Sequence, residues 1–236
     1  SASATGQQSS VRVSQPTVGG ISIFGGNTAT GGSSAIDMAG GVLEFRYDGN
    51  LDFGSLSSGK NLYLRESSTM FTGPAVGGSA INGLTTLGAF RFEANRTATF
   101  NSRNGYGMTF GAWTQNSSNN NNTITNNMGG TLTFTGDAWN KNDGSPRTLT
   151  MGGGGNTVIM GNLNTSGAGV KTLTKNDSGT LTINGTGATL DGPVNLNNGE
   201  LAIRDFRSLN NNAATINIGA GGTGALNVSG GSVYGR

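Results

Sequence analysis

KTLTKNDSGTLTINGTGATLDGPVNLNNGELAI, residues 171–203, is the stretch that decides the fold. Within it, Thr172-Leu173-Thr174, Thr180-Leu181-Thr182-Ile183 and Glu200-Leu201-Ala202-Ile203 are separated by Asp-Ser-Gly, Asn-Gly, Asp-Gly-Pro and Asn-Asn-Gly turns. In each piece a branched apolar residue points one way and Thr, Glu or Ala the other, the period-two signature of a strand with one buried face. The spacing then recurs. Gly130-Thr-Leu-Thr-Phe-Thr-Gly136 returns as Gly179-Thr-Leu-Thr-Ile-Asn-Gly185, with Gly155-Asn-Thr-Val-Ile-Met-Gly161 almost midway. On a second track Arg147-Thr-Leu-Thr-Met151 is echoed by Lys171-Thr-Leu-Thr-Lys175. Two tracks recurring together at roughly 24 residues imply windings of one coil, not independent hairpins.

Outward from that stretch, an apolar ladder runs Leu43/Phe45, Leu62/Leu64, Phe90/Phe92, Met108/Phe110, Leu132/Phe134, Thr157/Ile159, Leu181/Ile183, Leu201/Ile203 and Leu226/Val228. These residues are the expected core. Intervals vary because a solenoid tolerates loops at its corners, and the ladder predicts an all-β, single-stranded parallel β-helix (β-solenoid) of about nine coils. No helical period appears. Only 33% of the 236 residues are hydrophobic and 11% charged, while 43 are Gly. That is thin for a compact globule, but a solenoid core is a narrow column whose corners consume Gly, Asn and Asp.

Residues 1–10, without apolar content, read as a flexible or partner-bound arm, and 11–236 as one solenoid. The Asn-rich tract at 115–127 reads as an extruded loop or irregular coil, although Thr123-Ile124-Thr125 has strand character. Eight of the ten Phe lie before Gly111; beyond the tract the inward positions become Leu, Ile and Val.

Cys and His are both absent, which removes disulfides, zinc thiolates, thiol nucleophiles, the usual general base and the commonest metal ligand. No cofactor is expected. A net charge of +2 gives no basic field for nucleic acid or anionic lipid. No apolar run approaches the ~20 residues of a membrane-spanning helix, so direct membrane insertion is not expected.

Few motifs invite chemistry. Gly219-Ala-Gly221-Gly-Thr-Gly224 has the letters of a dinucleotide fingerprint, but Ala225–Ser229 reads as a strand where a helix is required. Gly54 to Lys60 resembles a phosphate loop, yet Asn61 replaces the magnesium-binding Ser or Thr and Leu62-Tyr63-Leu64 is strand-like. The carboxylate pairs Asp48 with Asp52 and Asp137 with Asp143 sit in turns, where Asp is favoured for its backbone hydrogen bonds. The calcium-binding Gly-Gly-x-Gly-x-Asp repeat is absent. Arg91, Arg96 and Arg103 near Phe90, Phe92 and Phe100 suggest a stacking platform for single-stranded nucleic acid, but alternation sends the rings inward and the Arg outward. No catalytic, cofactor or metal residue is assigned, and the chain is not expected to be an enzyme.

The segment Leu173-Thr-Lys175 followed by Gly179-Thr-Leu-Thr-Ile183 and Asn197-Asn-Gly199-Glu-Leu201 resembles the autotransporter-associated β-strand repeat family. The clear likeness covers about one coil and a half, and extends more loosely from Gly130 to Gly230. It implies a right-handed parallel β-helix in the passenger of a bacterial surface protein, exported through an outer-membrane barrel. No segment here reads as that barrel, which implies a passenger fragment, a processed product or a secreted relative.

The functional expectation is a structural solenoid, extracellular or on the bacterial cell surface: a stalk, an adhesin passenger, or a filament subunit stacking end to end. Its expected partners are itself, the continuation of a longer chain, or a glycan or host surface. Val11 and Val13 mark the segment expected to add to a neighbour, since an open coil end recruits strands. The alternative is a carbohydrate-binding or polysaccharide-cleaving β-helix of tail-fibre or lyase type.

Overall fold

The computed structural model describes residues 10–14, 35–53, 61–93, 95–115, 121–139, 146–164, 170–188, 190, 192–204, 206–209, 215–219 and 223–228. The chain winds as a parallel β-solenoid with three sides. Among the described residues the first sheet has nine strands, in spatial order Ser10–Ser14, Val42–Arg46, Ser68–Gly73, Thr97–Ser102, Asn122–Asn127, Arg147–Gly152, Lys171–Lys175, Val194–Leu196 and Ile216–Ile218. The second has eight: Leu51–Asp52, Leu84–Thr86, Gly107–Phe110, Leu132–Phe134, Thr157–Ile159, Thr180–Ile183, Glu200–Ile203 and Ala225–Val228. The third has four: Ala35–Met38, Asn61–Leu64, Phe90–Phe92 and Trp113–Gln115. It persists beyond them as a single parallel bridge between Ala138 and Leu163, and then as one backbone bond from Ala188 N–H to the Arg207 carbonyl.

Register bears out both repeat tracks. Arg147 lies opposite Lys171 and Leu149 opposite Leu173 on the first side; Leu132, Thr157, Leu181, Leu201 and Leu226 follow one another on the second. The expected nine-rung column needs correcting. Six pairs, from Met108/Phe110 to Leu226/Val228, form one uninterrupted ladder on the second side. Leu43/Phe45 belongs to the first sheet, and Leu62/Leu64 and Phe90/Phe92 to the third. Alternation looks the same on every side, so the sequence ladder changed sides and counted some sides as turns.

The tract at 115–127 also differs from the expected loop. Gln115 ends a strand of the third sheet, and Asn122–Asn127 is a strand of the first, with Ile124 fully buried. Inward Asn126 is tolerated there because its amide finds partners: Nδ2 donates to the Asn156 carbonyl and to Thr157 Oγ1, while Oδ1 accepts the Met128 N–H. Residues 116–120 lie outside the described ones.

The interior follows the number of sides. Where three sheets close it, large rings fill the column: Phe90 packs against Phe92, Phe100, Phe110, Trp113 and Phe134 at centroid separations of 4.7–6.2 Å. Where the third side shrinks to a bridge, Leu149, Leu173, Leu181, Ile183, Leu196, Leu201 and Ile203 suffice. At the corners, close approach demands glycine. Gly153, at φ +93°, lies so near the previous turn that a Cβ would overlap the Asn126 carbonyl. Asn82, Asn95, Asn104 and Asp177 take the same left-handed conformation, as these side chains tolerate. Trp139 adopts it too, at φ 57°, and its buried indole donates to Gln115 Oε1 at 2.8 Å.

Candidate assembly surface

An in-register parallel coil leaves an open edge after its last turn, and its chemistry follows from the strands there. Among the described residues, the first sheet ends on Ile216–Ile218 and the second on Ala225–Val228. Register places Ile216 and Ile218 beside Val194 and Leu196, and Leu226 and Val228 beside Leu201 and Ile203. One turn earlier those inward positions are 0–1% exposed, whereas Ile218 is 56% exposed and Leu226 and Val228 are only half-buried. The last rung therefore presents core side chains together with one edge of backbone N–H and C=O groups.

At the opposite edge of the first sheet, Ser10–Ser14 pairs with Val42–Arg46, placing Val11 beside Leu43 and Val13 beside Phe45. The segment expected to add to a neighbour is thus a strand of its own chain, and among the described residues no strand pairs with its second edge. The expected core residues Leu43, Phe45, Leu62, Leu64, Phe90, Phe92, Leu132, Phe134, Ile159, Leu181, Ile183, Leu201 and Ile203 are all at most 2% exposed.

The carboxylates are engaged as turn brackets. Asp48 Oδ1 accepts the Ala75 N–H at 3.1 Å; Asp137 accepts the Asn162 N–H at 2.9 Å and the Asn164 amide at 2.6 Å. Asp52 is exposed, and Asp143 lies outside the described residues, as does 54–60. The Gly219–Gly224 segment leads into strand Ala225–Val228. Phe90, Phe92 and Phe100 are fully buried; Arg91 lies over the Tyr63 ring, and Arg96 binds the Glu66 carboxylate and the Arg65 carbonyl.

Sequence reasoning missed three inward cations. Arg147, Lys171 and Lys175 are buried on the same face as Leu149 and Leu173. The strict alternation of Lys171-Thr-Leu-Thr-Lys175 already places them there. It also missed a cleft of about 420 Å³ lined by Arg46, Arg103 and the loop from Pro74 to Gly78. Arg46 sits 4.0 Å over the Phe71 ring and pairs with Glu44. Gly73 separates the two Arg, and a Cβ there would crowd Phe71.

Comparison with family models, curated proteins and solved structures found no match, so fold and side-chain chemistry carry the functional reading.

Proposed function

We propose that this chain is a structural β-solenoid of the bacterial surface or extracellular space, a stalk, an adhesin passenger or a filament subunit, whose winding continues end to end. The exposed Ile218 beside half-buried Leu226 and Val228 carries this reading. Such a rung is completed by a further turn, from the same chain or from a second copy. In the second case the Ile216–Ile218 edge of one copy meets the Ser10–Ser14 edge of the next, a head-to-tail contact that keeps parallel pairing and generates a filament. Surface location is supported by the likeness of Leu173–Lys175 and Gly179–Leu201 to the autotransporter-associated repeat. The role is scaffolding, without a catalytic step.

Negative-stain microscopy of the purified chain over a dilution series tests self-assembly. Rods that lengthen with concentration, and stay short in Ile218→Lys, are expected; monodisperse short rods at every concentration refute it. A second reading, carbohydrate recognition along the solenoid's side, is favoured by the cleft beside Arg46 and Arg103. Depolymerising activity lost in Asp48→Asn, or binding of acidic oligosaccharides lost in Arg103→Ala, would support it.

A further inference from the structure

The outward side of the first sheet has a chemistry that assembly does not use. From Thr97 onward its outward positions form the rows Thr97–Thr99, Thr123–Thr125, Thr148–Thr150 and Thr172–Thr174, followed by Asn195 and Asn217. Register stacks the rows: Thr97, Thr123, Thr150, Thr174, Asn195 and Asn217 occupy one column. Thr99 with Thr125, and Thr148 with Thr172, flank it. Amide ladders edge or extend the grid, Asn127 to Asn101, Asn197 to Asn176 and Asn217 to Asn195, at 2.9–3.3 Å. Among the described residues, none of these Thr hydroxyls has a hydrogen-bond partner in the chain.

No charged side chain points outward from these rows. Charges sit on an earlier rung, at Glu44 and Arg46, around the third side, at Asp37, Arg65 and Arg91, and at the two ends of the first row, where Arg96 pairs with Glu66 and Arg103 lines the cleft beside Arg46. Strand propensity favours Thr, but it favours Val, Ile and Tyr as well. Propensity alone does not select a hydroxyl at every position of four rows.

The result is a rigid neutral grid. Rungs lie about 4.8 Å apart and alternate residues along a strand about 6.6 Å apart. A β-branched side chain holds its χ1 stiffly, so hydroxyl and methyl positions need little further ordering. Each hydroxyl both donates and accepts. A polyanion finds no cation here, and a sugar ring finds no aromatic platform within the rows. The grid suits a partner that is itself a neutral, two-dimensional lattice of O–H groups with a similar repeat. We propose that the outward face of the first sheet binds ice, whose oxygen repeats lie close to both spacings.

Ice growth in the intact chain's solution tests this. Wild type is expected to facet ice crystals and to open a gap between melting and freezing temperatures. Thr150→Lys and Thr123→Lys, which place a hydrated ammonium in the central column, are expected to lose both effects, while Thr182→Lys on the second sheet keeps them. Circular dichroism identifies any variant that fails to fold, and the other column variant then decides. Rounded, unfaceted crystals with wild type overturn the proposal, as does equal loss in Thr182→Lys. A dimer in sedimentation that Thr150→Lys dissociates also overturns it, because a second copy then covers this face.

Discussion

Lys175 shows how a single residue joins consecutive turns. Its Nζ donates to the carbonyls of Asn176, Asp177 and Asn198, and Asp177 in turn accepts the Gly153 N–H from the previous turn at 2.8 Å. Burial lowers the Lys175 pKa below the ordinary lysine value, with the Asp177 charge opposing the shift. The folded chain therefore releases this proton at lower pH than the unfolded chain does. Between the lowered and the ordinary value the unfolded state holds more proton, so this group's contribution to stability rises with pH and is lost as pH falls through the lowered value. Urea midpoints measured from neutral pH upward should show wild type gaining on Lys175→Met across that window; parallel curves would show that the shift is absent. Gly153 makes the same corner possible from the backbone side. Gly153→Ala adds both a left-handed alanine and an overlap with the Asn126 carbonyl, and a loss of more than about 1 kcal/mol is expected in the same denaturation. A neutral outcome would mean that the two turns can separate without consequence.

At the scale of strands, what the sequence made legible depended on which element carried a repeated signal. The two tracks through Leu132, Leu149, Leu173, Leu181 and Leu201 were readable because Gly or Asn punctuates every strand and the interval is steady. The third side was not. Among the described residues its strands occur only up to Trp113–Gln115, and Leu62/Leu64 alternates just as Leu181/Ile183 does, so nothing local says to which side a pair belongs. The open edge was legible as a principle of parallel coils, but the exposed Ile218 depended on knowing which turn comes last among those described. The inward cations were legible and overlooked, since polarity drew attention away from their alternation with Leu173. The aromatic half of the core follows from the third side, which gives an element-scale prediction. Phe90 is fully buried against five rings where three sheets meet. Phe90→Ala should cost about 3–5 kcal/mol, read as a lower thermal or urea midpoint, because the rings around it cannot collapse into the space. Leu201→Ala, in the narrower two-sheet region, should cost about 2–5 kcal/mol and fall below Phe90→Ala in a side-by-side comparison.

Across the whole molecule, each turn touches mainly the turns before and after it, so stability is close to a sum of turn and neighbour terms. A middle turn has two neighbours, whereas the last described rung, Ile216–Ile218 with Ala225–Val228, has one and leaves Ile218 open to solvent. Local opening should therefore cost most free energy in the middle and least at that rung. Amide hydrogen exchange reads this directly. In dilute solution the amides of Leu132–Phe134 and Arg147–Gly152 should exchange slowest and those of Ile216–Ile218 and Ala225–Val228 fastest. If copies stack head to tail, concentrating the sample supplies the missing neighbour, and protection should rise at the last rung while the middle turns remain unchanged. A gradient that ignores concentration would leave the rung to be completed by further turns of the same chain, and equal protection at all rungs at every dilution would contradict the nearest-neighbour account itself. Ile218→Lys separates the cases, since a charge on the stacking surface abolishes the concentration-dependent protection without touching the amides of the central turns.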